Sequence, residues 1–308
     1  MALTKRRTKV PQGPRRAFFD TPETPEIPEP DDLAGVSRET GVALPRPATA
    51  RVMAVVNQKG GVGKTTTAVN LAAGLACGGL RVVVIDLDPQ GNASTALGVG
   101  HRDGEAGTYE ALLGGSGLAD VLQDSPEAPN LRVAVATMDL AGAEIELVSV
   151  VSRETRLRRA IDTFLADHEV DYVIIDCPPS LGLLTVNAFV AARELLIPIQ
   201  CEYYALEGLS QLQRSITMVR ENINPDLDLS TVLLTMYDGR TRLSSDVADQ
   251  VREFFGKETM ETVIPRSVRV AEAPSYGQTI LSYQPASAGG QAYLAAAEEL
   301  AQRGAGVR

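Results

Sequence analysis

Thiols and imidazoles are scarce in this sequence. Its 308 residues include three cysteines, Cys77, Cys177 and Cys201, and two histidines, His101 and His168. The cysteines show neither metal-ligand nor disulfide spacing, and Cys177 and Cys201 fall within apolar, strand-like runs. Buried thiols in a reducing compartment are therefore expected, and a redox role is not. The histidines are far apart and have no cysteine or carboxylate at ligand spacing, so both are expected at the surface. No apolar run reaches the roughly 18 residues needed to span a bilayer. The opening is basic (Lys5, Arg6, Arg7, Lys9), but no apolar segment follows it, so no secretory leader is expected. Positive charge is also in deficit, with a formal net charge of −10. That balance argues against wholesale coating of nucleic acid by the folded body and leaves room for a local basic patch.

What is present divides into two materials. Residues 1–50 run from a basic start through "DTPETPEIPEPDD" to "LPRPATA". They carry no hydrophobic periodicity, and their prolines remove backbone donors, so a disordered extension is expected. Such an extension could tether the chain to DNA, to anionic lipid at a membrane, or to a polar scaffold. From residue 51 to 308 the pattern is regular, and the 44% hydrophobic content supports one substantial core. Apolar runs "RVMAVVN", "RVVVID", "LRVAVA", "DYVIID", "ELLIPIQ", "STVLLTMY" and "ETVIP" alternate with helical patterns. The helices are expected over "KTTTAVNLAAGLACGG", Ser152–Ala166, Leu183–Ala192, Leu206–Asn222, Ser244–Phe255 and Gly290–Arg303. Continuous apolar strands alternating with helices predict an α/β fold: one doubly wound, mainly parallel sheet with helices on both faces. Ligands in such sheets bind at the carboxyl ends of strands.

The stretch "NQKGGVGKTT", Asn57 to Thr66, follows the first strand and opens the first helix, the context that a phosphate-binding loop requires. Glycines 60, 61 and 63 let backbone approach phosphate oxygens, and the following N–H groups supply a positive cradle. Lys64 is placed to reach the β- and γ-phosphates, and the Thr65 hydroxyl to ligate Mg²⁺. The pattern departs from the ordinary loop in two ways: Gln58 stands where the first glycine belongs, and Lys59 is extra. Asp176 closes the strand "DYVIID", where a carboxylate can hold Mg²⁺, usually through its water. "VVVIDLDPQGN" places Asp86 at a strand end and Asp88 just beyond. Asp88 could orient the attacking water, and a turn-forming role before Pro89 fits equally well.

"KGGVGKTT", "DLDPQGN", "DYVIIDCPPSLG", "QCEYYALEGL", "LLTMYDGRT" and "VIPRSVRVAEAPS" occur in this order. Together they resemble the ParA/Soj chromosome-partitioning ATPases, of the deviant Walker A class of P-loop NTPases that also contains MinD. The resemblance covers roughly residues 51–300. It implies ATP and Mg²⁺ as cofactors and a cytoplasmic, nucleoid-associated enzyme. Nucleotide contacts are implied at Lys59, Gly60, Gly61, Val62, Gly63, Lys64, Thr65 and Thr66, with Met236 and Pro265 against the base. Lys59 matches the signature lysine that reaches the partner's phosphates in an ATP-sandwich homodimer. Asp88 matches the aspartate needed for hydrolysis and joins Thr65 and Asp176 on the metal side. Lys59, Lys64 and Asp88 thus form the implied catalytic set. Arg240 and Arg269 match positions that bind double-stranded DNA without sequence specificity, with Arg266 a further candidate. The implied partner is ParB, which stimulates hydrolysis and releases the dimer from DNA.

Other functions predict other features. A MinD-like membrane ATPase needs an amphipathic membrane-targeting end, whereas "YLAAAEELAQRGAGVR" reads as a packed final helix. An electron carrier with an iron–sulfur cluster needs ligand cysteines, and the necessary pair is not evident beside Cys177. A small-molecule kinase leaves Lys59 and the arginines without a role. A nucleotide-gated DNA scaffold with incidental hydrolysis is the non-enzymatic alternative.

Overall fold

The computed structural model describes residues 43–102, 104–203 and 209–305. Most of the expected extension, residues 1–42, and the start of the helix expected from Leu206 lie outside the described residues. Residues 43–50 are described, and Leu44 N donates to Gly78 O at 3.0 Å.

Among the described residues, eight strands form one sheet: β1 (Arg51–Val55), β2 (Val82–Asp86), β3 (Leu122–Asp124), β4 (Leu131–Ala134), β5 (Tyr172–Asp176), β6 (Glu194–Gln200), β7 (Asp228–Tyr237) and β8 (Thr259–Pro265). Their order is β3-β4-β2-β5-β1-β6-β7-β8. Every pairing is parallel except β3 with β4. The doubly wound, mainly parallel sheet expected from sequence is therefore present. The antiparallel edge strand β3 was not expected, because three residues are too few to show a period.

Among the described residues, twelve α-helices surround the sheet. The first six are α1 (Lys64–Cys77), α2 (Asn92–Ala96), α3 (Thr108–Leu113), α4 (Leu118–Val121), α5 (Leu140–Leu147) and α6 (Arg156–Asp167). The remainder are α7 (Leu183–Ala191), α8 (Leu209–Asn222), α9 (Arg242–Phe255), α10 (Val268–Glu272), α11 (Ile280–Tyr283) and α12 (Ala288–Ala305). β1 shows why its run is continuously apolar. Val52 and Ala54 enter the core layer that includes α6, α7 and α9, while Met53 and Val55 enter the layer that includes α1 and α12.

On that second layer α1 and α12 approach closely. A Cβ on Gly74 would lie 2.7 Å from Ala297 Cβ, so only glycine lets the helices meet there. Tyr293, Ala297 and Leu300 of α12 are buried, as expected of a packed final helix. No helix of the described residues is long and apolar enough to cross a membrane. Arg51, 9% exposed, joins four elements. It donates to both Glu194 oxygens (2.7 and 2.5 Å), to Tyr172 Oη (3.1 Å) and to Leu300 O (2.9 Å).

Cys177 and Cys201 are buried, but Cys77 is exposed, because it lies at the C-terminal end of α1, beyond the packed length of the helix. His168 is exposed, as expected, whereas His101 departs from the expected surface position and is half-buried. His101 Nε2 lies 2.8 Å from Thr95 Oγ1, and the His168 ring stacks on Phe164 with centroids 4.5 Å apart.

Candidate functional site

The centre of the sheet fixes where the phosphate loop stands. From β1 the chain passes through α1 to β2 on one side. From β5 it crosses β1 to reach β6 on the other. The carboxyl end of β1 is thus the switch point at which an open parallel sheet leaves a crevice. Val55, Asp176 and Asp86 end their strands in one row of register.

Side chains from neighbouring strands hold the loop 57–63. Asn57 Nδ2 donates to Pro198 O at 2.9 Å, while its Oδ1 accepts from Lys59 N at 3.0 Å. Thr235 Oγ1 on β7 donates to Val62 O at 2.8 Å, and Val62 is buried. Gly60 and Gly61 form the exposed rim. Gly63 precedes α1 with φ 90°, a left-handed conformation that admits glycine without strain. From there the first turn of α1 turns its unpaired N–H groups towards the crevice, and Thr65 and Thr66 are half-buried within it.

The two lysines differ. Lys64 is 8% exposed, and its Nζ donates to Lys59 O at 3.4 Å, so the ammonium folds back over the loop. Burial lowers its pKa, and the Asp176 and Asp88 carboxylates oppose that shift. Lys59 is half-buried, and its ammonium has no partner among the described residues.

Asp176 is fully buried, and neither of its oxygens has a hydrogen-bond partner within normal geometry. Burial drives its pKa well above the usual carboxylate range, the Asp86 charge adds to the rise, and the Thr65 hydroxyl and Lys64 offset only part of it. Orphaned carboxylate oxygens beside a hydroxyl at the mouth of a phosphate loop suit a hard divalent cation. No cluster of three or more His, Cys, Asp or Glu that could hold a metal occurs among the described residues. A cation here would thus take Asp176, Thr65, waters and ligand phosphates, the usual mode of Mg²⁺.

Asp86 is the residue whose role the sequence did not reveal. It is fully buried and accepts from Ser94 N (2.8 Å), Ser94 Oγ (2.7 Å) and Asp88 N (3.3 Å). Burial pushes its pKa up to about 6 against those hydrogen bonds. Asp86 thereby holds α2 over the end of β2 and sets the turn that carries Asp88. Its signal was a carboxylate at a strand end, but nothing in the sequence linked it to Ser94. Asp88 itself does form a turn, its Oδ1 accepting from Gln90 N at 3.0 Å. Its charge also acts on both Lys64 and Asp176. The turn and the site position coexist in one residue.

Met236 and Pro265 line an apolar cleft of about 70 Å³ with Gly63, Thr66, Val270 and Tyr293. Met236 has φ 51°, a strained backbone for a non-glycine residue and a feature that clusters at ligand sites. A larger hollow of about 270 Å³ lies between α4 and α6 and contains none of the phosphate-loop residues.

The arginines lie beyond the carboxyl ends of β7 and β8, each paired with a carboxylate of its own chain. Arg240, with an 88% exposed side chain, places Nε and Nη2 each 2.8 Å from Asp238. Arg269 pairs with Glu272 at 2.9 Å, and Arg266 pairs with Glu202. These pairings were not anticipated, although the short spacings to Asp238 and Glu272 were visible.

Residues 50–229 match the family described as AAA domain. The sporulation initiation inhibitor protein Soj of Bacillus subtilis is 50% identical over 254 residues, which cover 82% of this chain and 99% of that protein. The chromosome partitioning protein ParA of Caulobacter vibrioides is 51% identical over 253 residues, covering 82% of this chain and 94% of that protein. Among solved structures, cobyrinic acid a,c-diamide synthase from Mycobacterium smegmatis, with bound ATP analog and magnesium, aligns with a TM-score of 0.71. It is 38% identical and covers 82% of this chain and 94% of that one.

Proposed function

The chain belongs to the Soj/ParA family of chromosome-partitioning proteins, and from that premise we propose that it is a partition ATPase. In this reading residues 51–308 are the ATPase domain. ATP-Mg²⁺ binds at residues 59–66, with the base against Met236 and Pro265. The ATP-bound chain forms a homodimer that holds double-stranded DNA without sequence specificity, in the cytoplasm on the nucleoid. A ParB-type partner stimulates hydrolysis and so releases it.

The observation that carries the reading is Asp176, a fully buried carboxylate with both oxygens unpaired at the end of β5, level with the end of β1. Thr65 and Asp176 would hold Mg²⁺, which when bound withdraws charge from the β- and γ-phosphates. Lys64 moves from the Lys59 carbonyl onto the phosphates. Asp88, fixed by Asp86 and its own turn, orients the attacking water. Lys59, with its ammonium unpartnered, serves the partner's nucleotide. A donor missing from an anionic transition state commonly costs on the order of 10²–10³ in rate, so turnover depends on dimerisation.

A MinD-like membrane role is less well supported, because the buried side chains of α12 pack against α1 and β8. The amide synthase shares 38% identity with this chain, whereas the chromosome partitioning protein of Caulobacter vibrioides reaches 51% over 94% of its length, which favours partition. Sedimentation of wild type and Asp88→Ala with ADP or ATP, with and without nonspecific duplex DNA, tests the proposal. Asp88→Ala should accumulate an ATP-dependent dimer that co-sediments with DNA. A monomer under every condition would overturn it.

A further inference from the structure

Asn70 lies on α1, one turn beyond Thr66, and is 3% exposed. Its Nδ2 donates to Thr66 O at 2.7 Å, and its Oδ1 accepts from Ile280 N at 2.9 Å. One buried amide therefore joins the helix that begins at the phosphate loop to the first residue of α11, 210 positions away. Glu127, 5% exposed, grips the same helix end. It accepts from Thr279 Oγ1 and from Ser282 Oγ, the latter at 2.8 Å.

The chain leading into α11 is the part that carries Arg269. It runs from α10 through the tight turn Ala273–Tyr276 to Ile280. That turn packs against α2, the helix that follows Asp88. Val270, the neighbour of Arg269, lines the apolar cleft with Thr66. The segment Val268–Tyr283 thus touches the phosphate-loop helix on one side and the Asp88 arm on the other.

We propose that Asn70 is a positioning residue that carries occupancy of the phosphate loop to the segment Val268–Tyr283. The proposal rests on the nucleotide-binding reading given above. When the first turn of α1 adjusts to bound phosphate, Thr66 O moves with it. The Asn70 amide is satisfied at both ends and shut from water, so neither bond can be exchanged for one to solvent. The Ile280 amide must then follow, and with it the chain back to Arg269.

The test is hydrogen exchange on the full chain with Mg²⁺ and a non-hydrolysable ATP analogue. The variants are Asn70→Ser and Asn70→Asp. A serine hydroxyl can still bond the carbonyl four residues back but is too short for Ile280 N. An aspartate keeps the acceptor for Ile280 N. In wild type the analogue should slow exchange at 57–66 and at 276–283, each by about threefold or more, a shift in local opening. Asn70→Ser should keep the first effect and lose the second, and Asn70→Asp, which cannot donate to Thr66 O, should lose it too. Equal protection of 276–283 in wild type and Asn70→Ser overturns the link, as does protection confined to 57–66 in wild type. Absence of protection at 57–66 in wild type overturns the nucleotide reading itself, and the link with it. Failure of Asn70→Ser to fold, seen as a lost thermal transition, also overturns the proposal, because the two bonds would then be scaffold.

Discussion

Asp86 and Asp176 stand side by side in register on β2 and β5, both fully buried, yet only Asp86 has donors within full hydrogen-bond geometry. Paired carboxylates in one low-dielectric environment oppose each other's ionisation. Here the protein satisfies one and leaves the other open at the crevice. That asymmetry assigns Asp86 to holding α2 and leaves Asp176 available to a ligand.

Asp176→Asn should therefore uncouple nucleotide binding from Mg²⁺. In wild type, adding Mg²⁺ should deepen the thermal stabilisation given by ATP. In the variant that increment should fall by about 10–100-fold in apparent Mg²⁺ affinity, the loss that even outer-shell substitutions cause. The raised pKa of Asp176 also fixes a sign: the cation must displace a proton, so Mg²⁺ affinity should rise with pH in wild type and flatten in the variant. Titrations of Mg²⁺ across a pH series would show both effects.

The two lysines should separate binding from turnover. Lys64→Ala should abolish ATP-dependent dimerisation, measured by sedimentation; full dimerisation in that variant would remove Lys64 from the phosphate site. Lys59→Ala should still bind nucleotide but lose about 10²–10³ in turnover, the usual effect of removing one transition-state donor.

Arg240 should act on DNA through charge alone. Arg240→Ala removes two phosphate contacts from a dimer, so the log–log salt slope of ATP-dependent DNA retention should fall by about 2. ATP affinity should not change. Because Asp238 occupies the guanidinium, Asp238→Asn should raise retention at fixed salt. An unchanged slope in Arg240→Ala would remove this surface from DNA binding.

Glu194→Gln tests the buried ion pair with Arg51. Burial alone would raise the Glu194 pKa, but the Arg51 hydrogen bonds and charge outweigh it and hold the carboxyl below its ordinary value. Its stabilising contribution is therefore present above the unfolded value and lost as pH falls through the lower folded one. Urea denaturation near neutrality should show a cost of about 3 kcal/mol, as for breaking a buried pair. The gap between wild type and variant should close at acid pH.

Much of this molecule was legible because its signals are long or chemically exclusive. The apolar runs of β1, β2, β5, β6 and β7 are buried on both faces of the sheet, and glycine followed by Lys64 and Thr65 suits few sites other than phosphate. Shorter features were not legible. α2, α10 and α11 have four or five residues each, too few for a 3.6-residue period to emerge. The service of Asp86 to Ser94, and of Asn70 to Ile280, depends on contacts that only the tertiary structure creates. The pairing of Arg240 with Asp238 was local, yet two residues of opposite charge on an exposed turn specify no geometry in advance.

The reach of Arg51 sets an order of events during synthesis. Its partners Tyr172, Glu194 and Leu300 are made 121, 143 and 249 residues later. At roughly 5–20 residues per second, β1 waits about 12–50 s for its last contact. Until β5 has been made the apolar run Val52–Val56 lacks both of its strand neighbours, and until β6 has been made it lacks one of them. The strand translated first is thus completed last, and the nascent chain must be shielded from aggregation until α12 has emerged.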